Sequence, residues 1–140
     1  MSTQLECILG LTKLQSSLTR ALDKQLSVHG ISFSEFYLLH CLASSREGAV
    51  RRIDLATQVD MSASGITRAL NPMEKLELVR KEINPRDARV SLVSLSTAGK
   101  RVYREALATV TATAGELLEN LNARDLANLA GLIGKLARGA

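Results

Sequence analysis

Residues 78–95 read LVRKEINPRDARVSLVSL. Apolar residues fall at alternate positions in LVRKEI (78–83) and again in RVSLVSL (89–95), the period of a half-buried strand. Between the two runs Asn84-Pro85 opens a turn, and Arg86, Asp87 and Arg89 crowd into the next four positions. The stretch therefore predicts a β-hairpin whose tip carries two cations and one anion. The long segments on either side are written in the helical period, so the fold must attach one small hairpin to a helical body.

The segment leading into the hairpin, RRIDLATQVDMSASGITRALNPMEKLELV, predicts a short helix over about 52–59, a turn at DMS, and a second helix starting at Ser62. Leu55, Ala56, Val59, Met61, Ile66, Ala69 and Leu70 are its apolar positions, and the small Ala56 lets another helix cross closely. Asp60 stands where a left-handed residue is wanted, a conformation that Asp tolerates less well than Gly. This is the spacing of a helix-turn-helix. On the second helix Ile66, Leu70 and Met73 recur on one face and point inward. Ser62, Ala63, Ser64, Thr67, Arg68 and Asn71 are left outside.

The ends of the chain are amphipathic. Ser2 to about His29 reads as one long helix with Leu5, Ile8, Leu11, Leu14, Leu18, Leu22 and Leu26 on a broad face, stopped by Gly30. Ser34 is the expected N-cap of the next helix, whose apolar stripe is Phe36, Leu39, Leu42 and Ala43. Beyond the hairpin, Thr97 or Ser96 caps a helix to about Leu121 with Leu107, Val110, Ala114, Leu117 and Leu121 at steps of three and four. After Asn122 the last helix repeats the pattern with Leu126, Leu129, Ile133 and Leu136. Three such helices cannot easily bury their apolar faces in so small a monomer, which predicts a dimerisation region built from both ends of the chain.

Length and composition exclude several classes. At 140 residues, 46% hydrophobic and 3% aromatic, the chain suits one domain with an aliphatic core. No apolar run reaches membrane-spanning length and the N-terminus lacks a signal pattern, so a cytoplasmic location with no membrane partner is expected. Cys7 and Cys41 show no CxxC spacing and form no zinc pattern with His29 and His40, so no metal or cofactor is expected. Each cysteine reads either as a redox-sensing thiol or as a small buried hydrophobe. No phosphate loop or nucleophile motif is present, and an enzyme is not expected. The net charge of +4 is unevenly placed: residues 51–101 hold ten Lys/Arg against six Asp/Glu, and the rest of the chain is balanced. That is the footprint of a phosphate-binding surface.

A helix-turn-helix followed at once by a hairpin is a winged helix, and this one resembles the MarR family of bacterial transcriptional regulators. DARVSLVSLSTAG (87–99) is similar to the family's wing signature, with Asp87, Arg89, Leu95, Ser96 and Gly99 in register. SASGITRAL (62–70) resembles its recognition helix, and MEKLELV (73–79) its Leu-Glu-Lys-x-Gly-Leu-Val connection. The resemblance covers essentially the whole chain. It implies a mainly α fold with a small β-hairpin wing: a dimerisation helix (1–30), a winged helix-turn-helix core (31–96) and C-terminal dimerisation helices (97–140). Three positions depart from the pattern. Glu77 replaces the usual Gly, which puts the shape of the turn into the wing in question. Asn71 replaces an Asp that often pairs with the wing arginine. Pro72 then either kinks the helix or splits it in two.

In such a motif the second helix enters the major groove, so Ser62, Ala63, Ser64, Thr67, Arg68 and Asn71 are the candidate readers, with Arg68 suited to a bidentate contact with guanine. Arg51 and Arg52 are candidate phosphate contacts. The wing would reach the neighbouring minor groove with Arg86 and Arg89, Asp87 holding one of them; equally, Arg89 serves only as a structural partner of Asp87. Family members are usually two-fold dimers on palindromic operators that let go when a small anionic or phenolic effector binds. Lys13 and Arg20 on the first helix, with Tyr37 and His40 on the second, are the candidate effector residues. Two other readings compete with this repressor. One is a winged-helix adapter that binds another protein; the other is a regulator sensing oxidants through Cys7.

Overall fold

The structure is a computed structural model and describes residues 2–139. Helix α1 (Thr3–Leu26) starts at the Ser2 cap, which accepts a hydrogen bond from Leu5 N, and ends in a 3₁₀ turn at Ser27–His29. Gly30 closes that turn at φ 74°, a conformation glycine adopts without a Cβ clash. Only the C-terminal end of α1 is buried, at Leu22 and Leu26; Leu5, Ile8, Leu11 and Leu14 are exposed.

Helix α2 (Phe33–Ala43) begins two residues earlier than expected. Its N-cap is Ser32, not Ser34, because Ser32 and Glu35 form a reciprocal capping box that satisfies two amides at once. The Phe33 amide donates to Asp23 Oδ1 at 2.7 Å, tying α2 to α1. The buried face holds Phe36, Leu38, Leu39 and Leu42, while Ala43 is exposed at the last turn.

The sheet has three strands rather than the two of a simple hairpin. Strands β1 (Ala49–Arg51), β2 (Val79–Asn84) and β3 (Asp87–Leu95) lie antiparallel in the order β1-β3-β2, with Val50 opposite Val93 and Val79 opposite Leu95. Half-burial by alternation holds only at the root of the hairpin, where Val79 and Val93 enter the core; β2 is exposed from Arg80 to Ile83. The wing therefore stands clear of the body.

Helices α3 (Arg52–Gln58) and α4 (Ala63–Lys75) form the helix-turn-helix, and Leu55, Ile66, Leu70 and Met73 fill the core with Leu38, Leu39 and Val93. Pro72 lies within a continuous α4, so the helix is not split. Beyond the wing come α5 (Thr97–Leu117) and α6 (Ala123–Gly139). Ser96, not Thr97, caps α5: its hydroxyl accepts from the Gly99 amide and donates to the Glu77 carbonyl. A Cβ on Gly99 would overlap the Leu78 carbonyl oxygen, so only glycine lets α5 dock this closely against the root of β2. Asn122 and Asp125 cap α6 by exchanging backbone-to-side-chain bonds. None of the described residues of α6 is buried.

Candidate nucleic-acid interface

Two helix ends set the geometry of this surface. At the end of α3 the Met61 amide reaches back to Ala56 O at 2.8 Å and the Asp60 amide to Thr57 O at 3.2 Å, with Asp60 at φ 55°. At the end of α4 the Leu78 amide reaches Met73 O and the Glu77 amide Glu74 O, both at 2.9 Å, with Glu77 at φ 60°. Both are Schellman motifs with an acidic residue at the left-handed position usually taken by glycine. Glu77 thus keeps the turn into the wing in its glycine-like shape, at the cost of backbone strain. Buried Met73 and Leu78 supply the apolar contact that accompanies such a motif.

Ser62 caps α4 by accepting from the Gly65 amide at 3.0 Å, and its Oγ lies 3.3 Å from Ser64 Oγ. Ser62, Ala63, Ser64, Arg68 and Asn71 are exposed along the outer face of α4, as the helical spacing predicted. Thr67 is half-buried and engaged twice: its hydroxyl donates to Ala63 O at 3.1 Å and accepts from Arg52 Nη1 at 2.8 Å. Arg52, expected as a phosphate contact, thereby also straps the start of α3 to the middle of α4. Nothing in the helical period of either segment signals that bond, since it joins residues 15 apart. Arg51 occupies the N-cap position of α3 without a capping side-chain bond, pairs with Leu92 in the sheet and approaches Asp54 at 3.9 Å.

In the wing, Asn84 Oδ1 accepts from the Arg86 amide at 2.9 Å and Asp87 Oδ1 from the Arg89 amide at 3.0 Å, so the turn is built on two side-chain acceptors. The Arg89 guanidinium grips the same carboxylate with both ends, Nε to Oδ1 at 3.1 Å and Nη2 to Oδ2 at 3.2 Å. Those bonds hold the Asp87 carboxyl below its ordinary range. Arg89 is turned to Asp87 rather than to Asn71, yet its side chain is 90% exposed. A bidentate fork on an exposed stem fixes where the cation stands more than it adds stability.

These pieces meet. A groove of ≈ 310 Å³ between the start of α3, the first turns of α4 and the wing is lined by Arg51, Arg52, Ile53, Ala63, Thr67 and Arg89, among others. Three arginines from three elements thus face one concavity beside the outer face of α4. Arg86 borders a second, wider cleft behind β1, shared with His40, Arg51 and Asp54.

Of the four candidate effector residues, His40 lines that cleft and Lys13, Arg20 and Tyr37 do not. Lys13 and Arg20 are exposed on α1, the latter donating to Ser17 Oγ at 3.4 Å. Tyr37 is exposed and meets Phe33 edge-on. His40 Nδ1 lies 2.8 Å from Tyr103 OH, within a stack that includes Phe36. Every Phe and Tyr ring of the chain belongs to this one cluster between α2 and α5. Burial pushes the Tyr103 phenol and the Cys41 thiol up, and Cys41 packs, partly buried, against the core; Cys7 is exposed on α1 rather than buried. Among the described residues there is no cluster of three or more metal-ligating side chains, and no helix is long and apolar enough to cross a membrane.

The family profile described as the MarR family matches residues 29–90. The chain is 24% identical over 128 residues to the transcriptional repressor MdtR of Bacillus subtilis, covering 91% of this chain and 79% of that protein. Its structure is similar to that of a mutant MarR from E. coli complexed with operator DNA, with TM-score 0.83 and 25% identity over 96% of this chain and 99% of that one. It is also similar in fold to the organohalide-sensing regulator RdhR in its 2,4-dichlorophenol-bound form, with TM-score 0.91 and 18% identity over 100% of this chain and 82% of that one.

Proposed function

We propose that the chain is a DNA-binding transcriptional regulator of the MarR family rather than an enzyme, and that it acts as a homodimeric repressor of a palindromic operator, released by a small anionic or phenolic effector. The observation that carries the DNA reading is the convergence of Arg51, Arg52 and Arg89 on one groove beside the exposed face of α4. Phosphates bind that rim of cations, Arg68 and its neighbours on α4 face base edges in the major groove, and the wing enters the adjacent minor groove. Double-stranded DNA is the partner, and the cytoplasm is where a regulator of this kind works.

The dimer follows from what the monomer leaves uncovered. Leu5, Ile8, Leu9, Leu11 and Leu14 on α1, Leu107 and Leu117 on α5, and Leu126, Leu132, Ile133 and Leu136 on α6 are each between 37% and 63% exposed. Full burial of such a side chain is worth ~1.5–3 kcal/mol, so covering the exposed halves gives roughly 10 kcal/mol per protomer. Two protomers then contribute about 20 kcal/mol, which exceeds an association cost of ~4–15 kcal/mol.

Effector release is supported by the α2–α5 aromatic cluster, where Tyr37 and His40 border rings against which a phenol would stack. RdhR, alike in fold, was crystallised with a chlorinated phenol. The test is a titration of a duplex carrying the chain's own promoter with protein at several salt concentrations, repeated with added phenol or aromatic carboxylate. Binding that weakens steeply with salt and again with effector is expected. Salt-insensitive binding would contradict phosphate contacts, and indifference to every such effector would remove the release step.

A further inference from the structure

Strand β2 carries a large apolar residue that the fold does not use. Ile83 is 73% exposed, second only to Val28 among the large hydrophobic residues described, and lies one residue before the wing turn. The register shows which way it looks. Lys81, two residues earlier on the same face, reaches Glu74 of α4 at 3.4 Å. Ser91, directly opposite Ile83, lines the groove beside α4 together with Arg89, and Val93 on that same face is fully buried in the core. Side chains alternate between the faces of a strand. Ile83 therefore stands beside Ser91 on the α4-facing side of the wing, and Ser91 shares its groove with the exposed Arg89 fork. A bulge follows it at Ile83/Asn84 and ends the regular pairing there, as bulges do where a strand re-aims a side chain.

An aliphatic side chain and a held guanidinium at the same end of the wing match the two components of a minor groove: apolar deoxyribose walls and a floor of negative potential. From this juxtaposition we infer that Ile83 is a DNA-contacting residue, packing against the sugar wall of the minor groove while Arg89 enters it. This rests on the DNA-binding reading above and adds a residue that makes no charge-dependent contact. Its contribution is set by apolar area rather than by counterion release, so it survives in high salt.

The experiment measures affinity for one operator-bearing duplex across a salt series, using full-length wild type, Ile83→Val, Ile83→Ala and Ile83→Ser. Their melting temperatures are compared first; an exposed position is expected to leave them within a degree or two. Affinity should fall in the order Val, Ala, Ser, reaching about tenfold for Ile83→Ser, with the slope of log affinity against log salt unchanged. Equal affinities overturn the role of Ile83 and leave the DNA-binding reading intact. Loss of affinity with a shallower salt slope also overturns direct contact, since Ile83 would then act by placing a cation. A wild type that shows no salt-dependent binding refutes the DNA reading itself, and this inference with it.

Discussion

Replacing Glu77 by glycine should stabilise the protein. At φ 60° the Glu77 Cβ crowds the neighbouring carbonyl oxygen, which costs an L side chain ~1–2 kcal/mol. Glycine removes that cost but loses ~0.5–1 kcal/mol more backbone freedom on folding. The acid also sits at the negative end of the α4 dipole, and removing it contributes roughly another 0.3 kcal/mol. The bonds that close the turn, from Glu77 N to Glu74 O and from Ser96 Oγ to Glu77 O, use only the backbone of residue 77 and survive the change. The net gain is about 1 kcal/mol, or a rise in melting temperature of ~2–5 °C for a chain of this size. Urea unfolding followed by circular dichroism reads it directly, at one fixed protomer concentration because association shifts the midpoint. Glu77→Ala is the control: it removes the charge but keeps the Cβ, and should change stability by only a few tenths of a kcal/mol. A Glu77→Gly midpoint at or below wild type, with an unchanged denaturant slope, would refute the strain argument.

Other outcomes follow from the interface. Arg68→Ala should relax base preference at one position per half-site, at ~1–3 kcal/mol per lost base contact, read from competition among single-base operator variants; an unaltered preference removes Arg68 from the readout. Asp87→Asn should leave the wing folded but release the Arg89 fork, lowering affinity for A·T-rich flanks in the same assay, whereas Arg89→Ala should weaken binding outright. Because Arg89 lowers the folded-state pKa of Asp87, the pair's contribution is present above the ordinary carboxylate value of 3.8 and is lost as pH falls through the lowered value. A carboxyl NMR titration should place Asp87 below 3.8 in wild type and return it to the ordinary range in Arg89→Ala. Paired charges on α6, Ile133→Glu with Leu136→Glu, should yield monomers in sedimentation experiments; a dimer that persists would place its interface elsewhere.

What could be read from the sequence was whatever is written locally. The inward set Ile66, Leu70 and Met73, the left-handed Asp60, the start of α4 at Ser62 and the turn opened at Asn84 each depend on a few neighbouring residues, and each stands where the spacing put it. The capping box at Ser32-Phe33-Ser34-Glu35 was equally local: serine followed three residues later by Glu marks Ser32, while Ser34 lacks that partner. What escaped was long-range. Strand β1 is three residues long, too short to show a period, and exists because β3 offers it a free edge more than forty residues away. The exposure of β2 beyond Val79 depends on the wing leaving the body, which alternation cannot reveal. The Arg52–Thr67 bond depends on how two helices cross. Glu77 was recognisable as a departure, but only the backbone shows that the turn absorbs it as strain instead of changing shape.

The central claim is that the cationic groove and the outer face of α4 together read a two-fold DNA site. Selection of bound duplexes from a random pool by the purified protein, at near-physiological salt, tests it most directly. An enriched palindrome is expected, with half-sites about one helical turn apart and flanked by A·T-rich sequence where the wings enter. A pool that stays random after repeated rounds would contradict it, and the winged helix would then be a surface for another protein.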